Sequence, residues 1–119
     1  MDDPVERLRT LCLALPETTE RTSHGEPCFF IRDKKQFLAL DDHHHGADHL
    51  SFWCAAPPGA QDELIAADPQ HYFRPPYVGH RGWVGVTIDN DPNWDEIAVI
   101  VRDAYRQVAP KTLAARLDA

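Results

Sequence analysis

The sequence has no Cys-x-x-C pair, and its three cysteines, Cys12, Cys28 and Cys54, lie far apart along the chain. Without such a pair, neither a zinc ribbon nor a thioredoxin-type redox site is indicated. All three residues fall on segments that read as apolar helix or strand. We therefore expect them to be reduced thiols buried in the core.

Several signals of location and activity are also lacking. No apolar run approaches the roughly 20 residues of a membrane helix, and the N-terminus lacks the basic and apolar regions of a signal peptide. These absences predict a cytoplasmic protein that does not interact with membranes. The sequence contains no Gly-x-Ser-x-Gly, His-Glu-x-x-His, phosphate-binding loop or dinucleotide fingerprint. We accordingly assign no catalytic residues and no cofactor, and a non-enzymatic role is favoured, although Cys28 with His24 as a base is a conceivable nucleophile pair.

Positive charge is scarce, and the formal net charge is −7. This balance opposes a general attraction to nucleic acid, because such affinity comes largely from Lys and Arg meeting phosphate. A claim of nucleic-acid binding therefore has to rest on a local patch of cations.

Acidic residues are missing from one long window, which lies between Asp68 and Asp89. Proline and glycine interrupt this window too often for a helix, so it predicts an ordered loop that leads into a strand. Its aromatic and cationic side chains mark it as a candidate binding surface. They are His71, Tyr72, Phe73, Arg74, Tyr77, His80, Arg81 and Trp83.

Hydrophobic periodicity predicts one domain over residues 1–119, with element order α-β-β-β-β-α-β-α. Amphipathic helices are expected over Asp3 to about Leu15 and from Asp91–Pro92 to Pro110, with a short helix over Gln61 to Ala67. The expected fold is an α+β two-layer sandwich, in which an antiparallel sheet of about five strands carries the two long helices on one face. The other face should be partly open and carry Trp53 and Trp83.

Several short segments occur along nearly the whole chain. They are Leu15-Pro-Glu17, Ser23-His-Gly-Glu-Pro-Cys-Phe29, a lysine before Phe37, Leu50-Ser-Phe-Trp-Cys54, Pro75-Pro-Tyr77, Gly82-Trp-Val-Gly-Val-Thr-Ile-Asp89 and Ala104-Tyr-Arg106. Together and in this order, they resemble the MmcQ/YjbR family. The resemblance implies a CyaY-like (frataxin-like) α+β domain. It also implies DNA binding through a double-wing arrangement.

Three functional hypotheses follow. The first, favoured by the resemblance, is DNA binding by a positive surface that joins Arg32, Lys34, Lys35, Arg74 and Arg81. The second is binding of a small anionic or aromatic ligand, or of a peptide, in a cleft on the open sheet face. The residues that would form this cleft are His24, Trp53, Tyr77, His80 and Trp83. This hypothesis includes the case that the protein is an uncharacterised enzyme. The third is a dimerising or adaptor domain, and we expect a monomer or weak dimer.

The histidine run from His43 to His45, with Asp42, Asp48 and His49, suggests a metal site. Adjacent histidines on one loop cannot all point the same way, however, and zinc sites usually take ligands from two elements. A solvated loop is the favoured interpretation. The acids of the first helix are explained by capping and the helix dipole, so no metal site is assigned.

Overall fold

The computed structural model describes residues 3–42 and 49–117. In chain order, the helices are α1 (Pro4–Leu13), α2 (Ala60–Ala67), α3 (Trp94–Val108) and α4 (Lys111–Arg116). The strands are β1 (Thr18–Ser23), β2 (Glu26–Ile31), β3 (Lys35–Asp42), β4 (Leu50–Cys54), β5 (Tyr72–Phe73) and β6 (Val84–Thr87). A short 3-10 turn covers Gly79–Arg81.

The strands form one antiparallel sheet in the order β1-β2-β3-β4-β6-β5. Helices α1 and α3 pack together and lie on one face of this sheet, so the predicted α+β architecture is confirmed. The sheet has six described strands rather than about five. The additional strand, β5, is only two residues long and lies within the acid-free window.

Helix α1 begins where it was predicted, whereas α3 begins at Trp94, after the predicted start at Asp91–Pro92. The Asp3 carboxylate accepts the backbone N–H of Val5, and the Asn93 side-chain oxygen accepts the N–H groups of Asp95 and Glu96. The first helix ends at Leu13, two residues before the predicted end at Leu15. Pro16 follows, and it disfavours helical geometry at the residue that precedes it.

The helix-facing side of the sheet forms the main core. Cross-strand pairing aligns Phe29, Leu38, Cys54 and Val84 on this side, and all four are buried. A bulge in β3 inserts Phe37 beside Leu38, and the Phe37 ring meets Tyr105 of α3 edge to face at 5.7 Å.

The three cysteines are buried thiols, as predicted. Burial raises the pKa of the Cys12 and Cys54 thiols well above its usual range, which keeps both groups neutral and unreactive.

Trp53 and Trp83 were expected on a partly open face of the sheet, but both side chains are largely buried. Trp53 is 8% exposed and Trp83 is 6% exposed. Trp83 lies one residue before the start of β6. A Cβ placed on Gly85 would lie 2.4 Å from ring atoms of Phe73. The aromatic ring of the edge strand therefore covers the glycine.

Candidate functional site

A depression with a volume of about 1050 Å³ lies over the sheet face that points away from the helices. Cross-strand pairing places Cys28, Ala39 and Trp53 in one row on this face, and all three line the depression. Further lining comes from the β1–β2 turn, from the loop before β6 and from the ends of β3 and α3. We call this depression the cleft.

The two tryptophans form the apolar part of the cleft. Trp53 is the next-to-last residue of β4 and lies opposite Ala39 on one side and Gly85 on the other. Trp83 lies one residue before the pair formed by Val84 and Cys54, so it belongs to the end of the sheet at which β3 starts. Both rings are largely buried, and the edges that remain exposed contribute an apolar surface.

The loop before β6 forms one wall of the cleft. Tyr77 is 72% exposed, with a backbone φ of 66° that non-glycine residues seldom adopt. The guanidinium carbon of Arg81 lies 5.2 Å from the centroid of the Trp83 ring, which is the distance of a cation–π contact. The loop thus presents a phenol and a guanidinium group to the cleft.

Gln61 of α2 holds this wall in place. Its side-chain amide nitrogen donates to the backbone carbonyls of Gly79 at 2.9 Å and Trp83 at 2.6 Å. Its oxygen accepts a hydrogen bond from Arg74 at 3.4 Å. Sequence reasoning missed Gln61, since a glutamine in the first turn of a short helix carries no signal of burial.

The β1–β2 turn forms the opposite end of the cleft. His24 and Gly25 have φ values of 52° and 81°, and Ser23 pairs with Glu26 across this two-residue turn. Positive φ at both central residues is typical of a type I′ hairpin. The Glu26 carboxylate accepts the backbone N–H of Asp42, which links the turn to the end of β3.

Two cations line the cleft without a carboxylate partner among the described residues. In the described part of the chain, Lys35 and Arg81 form no ion pair with a carboxylate, yet both line the cleft. By contrast, Arg21 pairs with Asp33 at 2.9 Å, and further ion pairs involve Arg9, Arg32, Arg106 and Arg116. Glu26 and Asp41 also line the cleft, but within the described residues neither forms an ion pair with Lys35 or Arg81.

Cys28 lies on the cleft face, but its thiol is not activated. Burial raises its pKa, and its sulfur donates a weak hydrogen bond to the backbone carbonyl of Glu26 at 3.6 Å. A neutral thiol is a poor nucleophile, so the geometry does not favour the Cys28–His24 pair.

The structure separates the predicted site residues into two groups. Six of them line the cleft together: His24, Lys35, Trp53, Tyr77, Arg81 and Trp83. The other four, Arg32, Lys34, Arg74 and His80, do not line it. Arg32 is held by Glu17 at 3.0 Å and Arg74 by Gln61, whereas Lys34 and His80 are exposed on turns.

Residues 43–48, which contain the suggested metal-binding histidines, lie outside the described residues. Within residues 3–42 and 49–117, no three His, Cys, Asp or Glu side chains are grouped so that they could hold a metal ion. None of the helices described is both long and apolar enough to cross a membrane.

Comparison with known proteins gives a family and a fold. The YjbR family model matches residues 13–107. The crystal structure of Deinococcus radiodurans protein DR2400, which carries domain DUF419, superimposes with a TM-score of 0.76 at 22% sequence identity. The match covers 99% of this chain and 92% of that chain, and at this identity it shows the fold alone. No curated protein matches the sequence.

Proposed function

The chain belongs to the YjbR family, and we propose that its domain binds a small anionic ligand with a planar group in the cleft. The observation that carries this proposal is the position of Lys35 and Arg81. Both cations line the same depression as Trp53 and Trp83, and neither is paired with an acid in the described part of the chain. An anion from outside the protein is the natural partner for such groups.

The geometry around Arg81 suits such a ligand. Its guanidinium group lies over Trp83, which fixes one face, while its N–H groups can still donate to a carboxylate or phosphate. The exposed ring of Tyr77 provides a surface for stacking. The volume of the cleft, about 1050 Å³, lies just above the range of about 300–1,000 Å³ that is usual for small-molecule sites.

A thermal-shift series tests this proposal with adenosine monophosphate and a set of aromatic carboxylates as probes. We expect at least one probe to raise the melting temperature, because a ligand that binds only the native state stabilises it. Arg81→Gln should abolish the shift. Lys111→Gln removes the same charge from an exposed site outside the cleft and should leave the shift in melting temperature unchanged.

Two outcomes would count against the proposal. The first is that none of these probes shifts the melting temperature at millimolar concentration. The second is that Arg81→Gln and Lys111→Gln weaken the shift equally, because the effect would then report overall charge and not the cleft.

A second candidate is DNA binding, which the family resemblance implies. The observation that favours it is the exposure of Lys34 beside Lys35 on one hairpin turn, near the end of the sheet that also carries Arg81. Against it, Arg32 and Arg21 on the same hairpin region are paired with acids. Mobility shift at low salt, repeated with Lys34→Gln combined with Lys35→Gln, tests it. Binding should weaken steeply with salt and with the double substitution.

A further inference from the structure

A second, separate groove lies between α2 and α3, with a volume of about 370 Å³. Each helix contributes one stripe of side chains at positions i, i+3, i+4 and i+7. The stripe of α2 is Ala60, Glu63, Leu64 and Ala67, and that of α3 is Glu96, Val99, Ile100 and Asp103. Two helices whose stripes face the same gap form a groove, and the apolar side of a third helix can pack into such a groove.

The floor of this groove is apolar and partly uncovered. Val99 is 57% exposed, although it lies in the middle of the longest helix of the protein. The alanines at Ala60 and Ala67 are small enough to leave space for larger side chains from a partner. The apolar stripe of α3 that packs on the sheet is formed by Ile97, Val101 and Ala104 with their buried neighbours. Ile100, which is 8% exposed, lies between this stripe and the groove.

The rim of the groove is acidic. The side chain of Glu63 has neither an ion pair nor a hydrogen bond to any described residue, and the Glu96 carboxylate accepts a hydrogen bond from the Tyr72 hydroxyl. Asp103 pairs with Arg106 at 3.2 Å, but no cation belongs to the lining of the groove. The chain as a whole carries a net charge of −7, so its surface also favours a basic partner at long range.

From the two facing stripes and the acidic rim, we propose that this groove docks an amphipathic helix of a partner protein. The partner helix places aliphatic or aromatic side chains against Leu64, Val99 and Ile100. Its flanking Lys or Arg residues reach the carboxylates of Glu63 and Glu96. This interaction surface is separate from the cleft and does not depend on what the cleft binds.

Fluorescence anisotropy with a short labelled peptide of leucine and lysine tests the proposal. Its leucines are spaced i, i+3, i+4 and i+7, and a scrambled peptide of the same composition is the comparison. We expect the patterned peptide to bind more tightly than the scrambled one. We also expect Val99→Lys to weaken its binding by about tenfold or more. Leu13→Lys is the matched control, because it replaces an exposed apolar residue with the same charge on α1, where Leu13 is 45% exposed.

A second variant, Glu63→Gln, separates the charge from the apolar contact. It should weaken binding of the patterned peptide at low salt and have little effect at high salt, since exposed charges are screened there. Equal binding of the two peptides, or equal loss with Val99→Lys and Leu13→Lys, overturns the proposal, as does the absence of binding at millimolar peptide. A dimer that Val99→Lys alone abolishes, as measured by light scattering, assigns the groove to a second copy of the chain and overturns it as well.

Discussion

Gln61 shows how one buried amide fixes the shape of the cleft wall. It donates to the carbonyl of Gly79, which is the first residue of the 3-10 turn, and to that of Trp83, which follows the turn, and it also accepts from Arg74. A buried carbonyl that loses its donor retains the cost of leaving water, because nothing replaces the lost hydrogen bond.

We expect Gln61→Leu to lower the free energy of unfolding by about 1–3 kcal/mol, because the Trp83 carbonyl loses its described donor and the Gly79 carbonyl keeps only the N–H of Gly82. Urea unfolding measures this loss. Gln70→Leu is the control, because the side chain of Gln70 is exposed and forms no described hydrogen bond. A loss of similar size in both variants would mean that the hydrogen bonds of Gln61 contribute nothing specific to stability.

His71 is the residue whose protonation is most clearly coupled to the fold. Its Nδ1 lies 2.8 Å from the Asp68 carboxylate and its Nε2 lies 3.1 Å from the backbone carbonyl of Asn90. Both partners are acceptors, so the imidazolium form satisfies both contacts. The bond to the Asn90 carbonyl, followed by that to Asp68, raises the pKa of His71, with a smaller contribution from the charge of Glu96.

This raised pKa predicts a pH-dependent contribution to stability. Because the folded-state pKa lies above the unfolded value of about 6.5, the stabilisation is fully present below that value. It is lost as the pH rises through the folded-state pKa. The difference in unfolding free energy between wild type and His71→Gln should therefore shrink from pH 5.5 to pH 8.5. A difference that stays constant over this window contradicts the assignment.

Sequence patterns identified the positions of these residues only in part. The acid-free window pointed to Arg81 and Trp83, because clustered aromatic and cationic groups are visible in a sequence. Gln61 was not predictable, since its role depends on a contact with carbonyls 18 and 22 residues away. The ring of Phe73 over Gly85 was missed for a similar reason: it needs the pairing of two strands that the loop brings together.

At the scale of elements, strand alternation and helix caps were sufficient to predict most of the fold. The four strands up to β4 and the strand that contains Val84 and Val86 were found, because alternating apolar residues mark a half-buried strand. Strand β5 was missed, as two residues cannot show alternation. The bulge at Phe37 was also invisible, since it depends on the register of the partner strand.

The cap of α3 allows a direct test at this scale. Asn93→Ala removes the acceptor for the N–H groups of Asp95 and Glu96, and we expect a loss of about 1 kcal/mol in unfolding free energy. Asn93→Asp keeps an acceptor at the same position and should be nearly neutral. Thermal and urea unfolding measure both. If the aspartate and alanine variants lose the same stability, the cap is not the cause.

For the whole molecule, the distribution of charge matters more than its sum. The chain is acidic, and Arg9, Arg21 and Arg32 form ion pairs with carboxylates near the edge of the sheet. Lys35 and Arg81 remain at the cleft. Sequence reasoning could identify these cations but not their partners, so it also included Arg32 and Arg74, which the fold engages elsewhere.

The most direct test of ligand binding in the cleft uses the three tryptophans as reporters. Trp53 and Trp83 line the cleft, whereas Trp94 lies at the start of α3 with Arg7 at 4.9 Å from its ring centroid. In two-dimensional NMR spectra of the indole N–H groups, titration with adenosine monophosphate or an aromatic carboxylate should shift the signals of Trp53 and Trp83 and leave that of Trp94 in place. Shifts of all three signals to the same extent, or of none, would contradict binding in the cleft.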